Sequence, residues 1–409
     1  MVKDYIMLNG KGTNQTLHDI QVCKGNNEYL YNNQDKQYLD LASGLWNVSL
    51  GYNSELNSNQ LEGFRKILDK NIPYIDMTSY NTDIYNQASS NILSFVGNDN
   101  FNKVIFTNSG SETLELALKI TNALKAGKKV LSFTESYHGT FYGGMSLSGL
   151  TKDVVANHNP NYHSNITMNL PTDEKEEKAF IKKLIEISDE IGAVFVEPII
   201  GSGGIKFASI DFYNQLLQVC KKNNIFVVFD EVATGFYKTG KRFFFNQLNG
   251  VPDILCLSKS INNGILPAGS LLISEDIFHK LENTKVKHMS TQNGNVLCLS
   301  SIIETLEYYR KHETELLNNV QTIKNITQKL SKEYDVDIRN FGSITAIPVA
   351  ANALQTILNI LKERGIIVYR FSTTNQVGLT LYPHINIDLK VYQKTLKYIY
   401  KTVIKYGQH

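Results

Sequence analysis

The central part of the chain alternates short apolar runs with amphipathic stretches. From about Phe101 onward, polar residues bound each run, and the stretches between the runs repeat apolar residues at helical spacing. This alternation predicts a mostly parallel sheet with covering helices. The near-continuous run IFVVF at 225–229 is typical of a strand buried on both faces. The predicted strands lie in KVIFT, KVLSF, AVFVEPII, IFVVFDEV, DILCLSKS and GSLLIS.

The two ends of the chain follow a different pattern. Glu28–Asp40 predicts two short strands around a polar turn. Beyond Gly294 a long helical pattern is followed by a strand-like segment and then by alternating helix, strand and helix. We therefore expect a large α/β domain from residue 48 to 285, and a smaller α+β domain built from residues 1–47 and 286–409.

The composition is that of a globular protein, with 42% hydrophobic and 20% charged residues. Lys plus Arg number 41 against 39 Asp plus Glu, and the basic residues are spread along the chain, which argues against a nucleic-acid partner. No apolar run approaches the roughly 20 residues of a membrane span, and the N-terminus lacks the apolar core of a signal peptide. The four cysteines lie far apart without metal-ligand spacing, so we expect reduced thiols, no metal and a cytoplasmic location.

Polar clusters follow several predicted strands, at the edge where open α/β sheets bind ligands. The cluster Asn108–Glu112 precedes a predicted helix, and its small residues, backbone N–H groups and helix dipole suit a phosphate. A serine N-cap alone would also explain it. The cluster Tyr137–Gly139 offers an aromatic face to a planar ligand, although an ordinary surface loop has the same composition.

Two further clusters carry charge. Asp230 and Glu231 end an apolar strand, where a carboxylate must be solvated, paired or bound to a cation. A nucleotide hydrolase is one alternative, because Gly235–Lys241 (GFYKTGK) matches GxxxxGK, but Arg242 replaces the hydroxyl residue that would bind magnesium. Lys259 closes another apolar strand. Most lysines are surface charges, yet a desolvated lysine has a lowered pKa and suits Schiff-base chemistry.

Taken together, these clusters resemble the class III aminotransferases of pyridoxal-phosphate fold type I. The resemblance runs from about residue 28 to the C-terminal region, and the order and spacing of the motifs make it specific. The Gly-Leu-Trp within YLDLASGLWNVSLGYN is similar to the ω-transaminase branch. The other motifs, in family order, are FTNSGSETLELALKI, SYHGTFYGG, FVEPIIGSGG, FDEVATGFYKTG, PDILCLSKSINNGILPAG and STQNGNVLCLSSIIETLE.

The resemblance implies a seven-stranded-type sheet, pyridoxal phosphate as cofactor, and transfer of an amino group from an amine or amino acid to a carbonyl compound. It implies that Lys259 carries the cofactor as a Schiff base and that Asp230 pairs with the pyridinium nitrogen, which keeps the ring an electron sink. The remaining implied contacts are Gly110 and Ser111 with the phosphate, Tyr137 and Val232 with the two ring faces, Glu197 near the ring, and Thr291 with the phosphate of the other subunit of a homodimer.

Two places depart from the family pattern. Ala233 stands where the family usually has a glutamine that contacts the cofactor's phenolic oxygen. In the C-terminal segment VGLTLYPHINID no alignment frame supplies the arginine with which many members bind an α-carboxylate, because Thr380, Gly378 or Leu379 stands there. Arg370, or a lysine from another loop, is one substitute for that arginine.

We therefore expect at least one substrate without an α-carboxylate, such as an amino ketone, an aldehyde or the carbonyl end of a modified peptide. Trp46 would help to shape an apolar pocket for it. The same cofactor apparatus also serves aminomutases, racemases and decarboxylases. A binding protein that keeps the fold without turnover is a further alternative, since Ala233 changes the cofactor's surroundings.

Overall fold

Three sheets organise the part of the chain that the computed structural model describes, residues 20–151, 155 and 165–407. The N-terminal segment, in which no signal peptide is expected, lies outside this range. The strands are β1 (Val22–Asn26), β2 (Tyr29–Asn32), β3 (Gln37–Asp40), β4 (Phe101–Thr107), β5 (Lys129–Phe133), β6 (Ile166–Met168), β7 (Ile191–Val196), β8 (Phe226–Asp230), β9 (Ile254–Leu257), β10 (Gly269–Ser274), β11 (Arg339–Phe341), β12 (Ile344–Val349), β13 (Ile366–Ile367), β14 (Tyr369–Ser372) and β15 (Val377–Leu381).

Helices cover the sheets. Within the described residues they are Ser54–Leu68, Asp83–Val96, Gly110–Leu124, Tyr142–Leu147, Glu174–Glu186, Ile210–Lys222, Glu275–Leu281, Val296–Lys311, Glu313–Tyr334, Leu354–Glu363 and Leu389–Tyr406. None of these helices is long and apolar enough to cross a bilayer. The long helical pattern after Gly294 is two helices that meet at His312.

The central sheet has seven strands in the order β4-β10-β9-β8-β7-β5-β6. Its strands pair in parallel from β9 to β6, whereas β10 runs antiparallel to both β4 and β9. Every residue of β7, β8 and β9 is buried, as their near-continuous apolar runs predicted. The predicted fold class, a mostly parallel sheet with covering helices, is confirmed.

The two chain ends meet in the smaller sheets. β13 pairs in parallel with β3 in the sheet β1-β2-β3-β13, and the sheet β11-β12-β15-β14 is antiparallel. The two strands predicted within Glu28–Asp40 are β2 and β3, while β1 was not predicted. Leu39 and Leu41 pack in an apolar cluster whose other buried members all come from the last ninety residues of the chain.

A strained turn at Ser43–Trp46 follows β3. All four residues have positive φ, between 45 and 67°, and three of them are not glycine. A left-handed conformation costs an L-residue roughly 1–2 kcal/mol. The buried carboxylate of Asp40 offsets this cost by accepting hydrogen bonds from the backbone N–H of Ala42 and of Gly44, each at 2.9 Å, and from the hydroxyl of Tyr52 at 2.7 Å.

The turn fixes the position of the single tryptophan of the chain. The ring of Trp46 is stacked on Tyr382 with centroids 4.4 Å apart, and it meets Tyr369 edge-on at 5.4 Å. Trp46 is therefore held between two tyrosines of the C-terminal segment, although it lies in the N-terminal part of the sequence.

Asp40→Asn should disturb this turn, because an amide offers one acceptor oxygen where the carboxylate offers two. Loss of a hydrogen bond to a buried charged group costs roughly 1.5–3 kcal/mol, so we expect a lower unfolding midpoint and a red-shifted emission of Trp46. Fluorescence measures this directly, since Trp46 is the only emitter of its kind. Tyr52→Phe, which removes one hydrogen bond and leaves both backbone contacts, should cause a smaller shift. An unchanged emission in Asp40→Asn would show that the turn does not depend on Asp40.

Candidate active site

A cavity of about 390 Å³ lies at the carboxyl ends of β7, β8 and β9. A larger groove of about 620 Å³ lies at the opposite edge of the sheet, near the start of β8, and contains none of the predicted site residues. The smaller cavity brings together eight of them: Trp46, Gly110, Ser111, Tyr137, Glu197, Asp230, Val232 and Lys259.

Lys259 enters the cavity directly after β9, at the start of a short 3₁₀ turn. Its φ is +44°, a left-handed value that non-glycine residues rarely adopt. The Nζ atom lies 4.7 Å from the centroid of the Trp46 ring. Burial lowers the pKa of the Lys259 amine, while the negative charges of Asp230 and Glu197 oppose that shift. A larger fraction of the Lys259 amine is therefore neutral and nucleophilic at a given pH than in an exposed lysine.

Asp230 is the last residue of β8. Its Oδ2 lies 2.9 Å from Nδ1 of His138, and its Oδ1 accepts a hydrogen bond from the backbone N–H of Val232 at 3.1 Å. Both side chains of the His138–Asp230 pair are almost completely buried. With the carboxylate ionised, Nδ1 of His138 carries the proton, so the imidazole orients the carboxylate and disperses its charge.

Glu197 follows β7 directly and is also buried. Its two oxygens accept hydrogen bonds from the backbone N–H of Tyr137 at 3.0 Å and of Gly201 at 2.9 Å. Burial, reinforced by the nearby charge of Asp230, raises the pKa of Glu197 to about 7. Glu197 thereby joins two loops of the cavity wall and is close to its own titration point at neutral pH.

The start of the helix Gly110–Leu124 forms another wall. Ser109 caps this helix, since its side chain accepts the N–H of Glu112 at 3.1 Å. The cap does not exclude an anion site, because the first N–H groups of a helix have no intrahelical partner. A side chain at Gly110 would lie 2.8 Å from Val232 Cγ1, so glycine is required for this close approach.

Thr291 does not line the cavity of its own chain. It is exposed, in the loop that precedes the helix Val296–Lys311. That loop lies beside the helix start, because Nδ2 of Asn108 donates to Ser290 Oγ at 3.2 Å and Nε2 of His288 lies 3.1 Å from an oxygen of Glu112.

Several lining residues carried no predicted role. They are Leu45, Ser109, Leu114, His138, Gly139, Ser202, Ala233, Ser258 and Tyr369, although Ala233 was noted as a departure from the family. His138 was visible in the cluster around Tyr137, but nothing in the sequence joins it to Asp230. Tyr369 comes from β14, far along the chain, and only the tertiary structure reveals its contribution.

The loop 235–241 is not a phosphate-binding loop. Lys241 at its end is exposed, and a short 3₁₀ turn at Phe244–Gln247 follows it instead of a helix that could bind phosphate at its N-terminus. The alternative of a nucleotide hydrolase is therefore wrong. Lys238, the other lysine of the loop, is buried.

The C-terminal segment contributes no cation to the cavity lining that the described residues form. Gly378, Leu379 and Thr380 are buried within β15. Arg370 is exposed on β14 and follows Tyr369, which lines the cavity. Because consecutive residues of a strand point to opposite faces, Arg370 faces away from the cavity.

The groups around the cavity fit pyridoxal phosphate. An amine can bind its aldehyde, a carboxylate can pair with its ring nitrogen, an aromatic ring can stack on its ring, and a helix N-terminus can hold its phosphate. Each of these groups is present, on Lys259, Asp230, Tyr137 and Gly110–Ser111 respectively.

Comparison with known proteins agrees with this chemistry. The family described as aminotransferase class-III matches residues 10–402. An acetylornithine aminotransferase of Lactococcus lactis is 29% identical, covering 85% of this chain and 88% of that protein. An adenosylmethionine-8-amino-7-oxononanoate aminotransferase of Helicobacter pylori is 30% identical, covering 89% and 85%. A solved amine transaminase from an uncultivated Pseudomonas species, in a PLP-bound form, matches with a TM-score of 0.86 over 100% of both chains at 21% identity, which shows a shared fold.

The match to the family extends over nearly the whole chain, from the first residues to the last helix, and the central sheet is that of pyridoxal-phosphate fold type I. The chain therefore belongs to the class III aminotransferases, and it is a pyridoxal-phosphate-dependent transaminase that acts on small-molecule amines and carbonyl compounds.

Proposed function

We propose that Lys259 binds the aldehyde of the cofactor and that Asp230 pairs with its ring nitrogen. The observation that carries this assignment is the convergence of the partly buried amine of Lys259 and the buried, histidine-supported carboxylate of Asp230 in one cavity. When bound, the cofactor supplies an electron sink for the substrate carbon that loses its proton. With the incoming amine bound, the freed Nζ of Lys259 would move a proton between that substrate carbon and the cofactor's aldehyde carbon.

The other walls hold the cofactor in this proposal. Gly110 and Ser111 would bind the phosphate through the N–H groups at the helix start, which have no partner within the helix. Tyr137 and Val232 would contact the two faces of the ring. Glu197 would keep the loop that carries Tyr137 in place, because it accepts the N–H of Tyr137.

We propose a homodimer in which Thr291 reaches the phosphate bound by the partner subunit. Thr291 is exposed in the single chain, as such a role requires. Two side chains of or beside this loop are large, apolar and exposed: Met289 is 69% accessible, and Met77, which lies against Gly294, is 42% accessible. Exposed apolar side chains grouped in this way are typical of a subunit interface.

We propose that at least one substrate lacks an α-carboxylate. Lys259 is the only lysine in the lining formed by the described residues, and no arginine is present there. The remaining wall is largely aromatic and aliphatic, with Leu45, Trp46 and Tyr369 at one side. A carboxylate in this cavity would lack the charge-assisted pair that normally offsets its desolvation. An amino ketone, an aldehyde or the carbonyl end of a modified peptide avoids this cost.

The domain division proposed here is a large part, residues 48–285, and a smaller part from residues 1–47 and 286–409. The packing of Leu39 and Leu41 among C-terminal residues supports it. We also propose a cytoplasmic location, which the four unpaired cysteines favour.

The assignment of Lys259 is tested by borohydride reduction. The cofactor-bound protein should absorb visible light and lose that absorbance on reduction, and peptide mapping should place the reduced cofactor on Lys259. Mapping is needed because Lys238 is another lysine in the interior of the protein. Lys259→Ala should bind the cofactor without a covalent bond and show no half-reaction with any amine. A label on another lysine, or turnover by Lys259→Ala, would mean that Lys259 is misassigned.

The shared site is tested by mixing two inactive variants. Lys259→Ala and Thr291→Asp should each be inactive, the second because its carboxylate repels the phosphate. After unfolding and reassembly together, about a quarter of wild-type activity should return, because half of the dimers are mixed and each mixed dimer has one intact site. Each variant reassembled alone is the control. A mixture that stays inactive, or a fully active monomer in light scattering, contradicts a site built from two subunits.

The substrate proposal is tested by comparing kcat/KM for a keto acid with that for the matching aldehyde. The aldehyde should be at least as good a substrate, since the lining has no arginine to pair with the acid. A hundredfold preference for the keto acid, about 2.7 kcal/mol of transition-state binding, would reveal a carboxylate clamp and contradict the proposal. Arg370→Met should leave both values unchanged, and a selective loss with the keto acid would identify Arg370 as that clamp.

A further inference from the structure

Lys238 is a buried lysine that the transaminase chemistry does not use. The residue is 2% exposed, and among the described residues no ion pair joins it to a carboxylate. Its Nζ donates a hydrogen bond to Oγ of Ser260 at 2.6 Å and a longer one to the carbonyl oxygen of Gly235 at 3.4 Å. Burying an ammonium group without a paired carboxylate is costly, so the amine depends on its hydrogen bonds and on a lowered pKa.

The shorter hydrogen bond of Lys238 joins it to Ser260, the residue next to Lys259. Ser260 follows Lys259 in the chain, within the 3₁₀ turn that Lys259 begins. Oγ of Ser260 also lies 2.5 Å from Oγ of Ser49, so it is held from two sides. A left-handed φ of +44° at Lys259 is unfavourable for a residue with a side chain, and it persists only if its neighbours hold it.

The backbone of Lys238 is itself firmly placed. Its carbonyl oxygen accepts hydrogen bonds from the N–H of Ser343 at 2.9 Å and from the Ser343 hydroxyl at 3.2 Å. A side chain at Gly342 would collide with that carbonyl group. The lysine therefore presents its amine to Ser260 from a rigid support at the turn between β11 and β12.

The charges of Lys238 and Lys259 also affect each other. Burial, with a further contribution from the charge of Lys259, lowers the pKa of Lys238 to about 7, while Glu231 opposes this shift. The amine therefore loses its proton close to neutral pH. Below that pH a positive Lys238 places a second charge near Lys259, and above it the neutral amine still donates a hydrogen bond to Ser260.

We propose that Lys238 is a positioning residue for Lys259: its hydrogen bond to Ser260 holds the turn so that Nζ of Lys259 faces the cavity. The inference rests on the proposed function, in which Lys259 binds the cofactor. In that reaction Nζ of Lys259 forms a bond to the aldehyde carbon and loses two protons, and the aldehyde oxygen leaves as water. Lys238 takes no part in this bond. It fixes the orientation of the Lys259 amine that attacks the aldehyde.

The experiment separates binding of the cofactor from formation of the covalent bond. Apoprotein is mixed with pyridoxal phosphate, and the rate of bond formation is followed by visible absorbance between pH 6 and 9. Affinity for pyridoxamine phosphate, which has no aldehyde and cannot form the bond, is measured in parallel. The variants are Lys238→Met, Ser260→Ala and the two combined. Lys241→Met is the matched control, because Lys241 is an exposed lysine of the same loop.

Lys238→Met and Ser260→Ala should each slow bond formation by about tenfold, the effect expected for one lost hydrogen bond. The double variant should be no slower than Ser260→Ala alone, because that substitution already removes the hydrogen bond from Lys238 together with the contact to Ser49. Affinity for pyridoxamine phosphate should stay within about twofold of the wild type, and Lys241→Met should behave as the wild type.

Other outcomes overturn the proposal. Bond formation at the wild-type rate in Ser260→Ala would show that the hydrogen bond from Lys238 to Ser260 does not orient Lys259. This variant serves as the test if Lys238→Met does not fold. Equal loss of pyridoxamine phosphate binding would show that Lys238 only supports the cavity. Wild-type protein that forms no bond at Lys259 contradicts the proposed function itself, which is a separate result from a change limited to the variants.

Discussion

Lys259 brings a primary amine into a cavity in which the carboxylates of Asp230 and Glu197 act on its charge. Burial lowers the pKa of this amine, and Asp230 and Glu197 supply the negative potential that keeps the shift from being larger. Because Lys259 itself has a left-handed backbone conformation, the residues around it must hold its backbone as well as its side chain. The other features of the site follow from this requirement.

Three carboxylates at the ends of β7 and β8 show how neighbouring acids acquire different tasks. Asp230 and Glu231 are consecutive, so they point to opposite sides of the chain. Asp230 faces the cavity and is supported by His138, whereas Glu231 accepts the N–H groups of Phe244 and Phe245 at 2.7 and 3.0 Å and holds a loop. Burial raises the pKa of Glu231 to about 7, as it does for Glu197. Glu197 and Asp230 both line the cavity, but only Asp230 has a side-chain partner there, His138, since Glu197 accepts backbone N–H groups. This support suits Asp230 to pair with a cationic ring nitrogen.

The opposite side of the cavity is apolar and strained. The turn at Ser43–Trp46 places the tryptophan against Lys259 and exposes Leu45 at the cavity, and Asp40 holds the turn by accepting its backbone N–H groups. Backbone strain of this kind is typical of functional sites, where the surrounding contacts hold a conformation that lowers stability but positions a side chain. The lining that the described residues form contains no arginine on this side, so shape and apolar contact, and no arginine pair, are what this wall offers a ligand.

Local sequence determined the elements and the chemical groups of this protein. The strands of the central sheet, the existence of the helix after β4 and the lysine after β9 could be predicted because apolar period, strand length and terminal residues are local properties, although the helix begins at Gly110 and not near Glu112 as the sequence indicated. Resemblance of ordered motifs then indicated the family, and eight proposed residues lie in one cavity. The sequence also showed that the usual carboxylate-binding arginine is missing from the C-terminal segment.

Tertiary structure alone decided which distant residues meet. The pairing of His138 with Asp230, the stacking of Trp46 on Tyr382, and the hydrogen bond from Lys238 to Ser260 join parts of the chain with no shared local pattern. The left-handed turn after β3 was not predicted either, because its φ values are unfavourable locally and depend on Asp40. Short-range preferences specify elements, whereas contacts made across the fold decide where strained backbone and buried charge are tolerated.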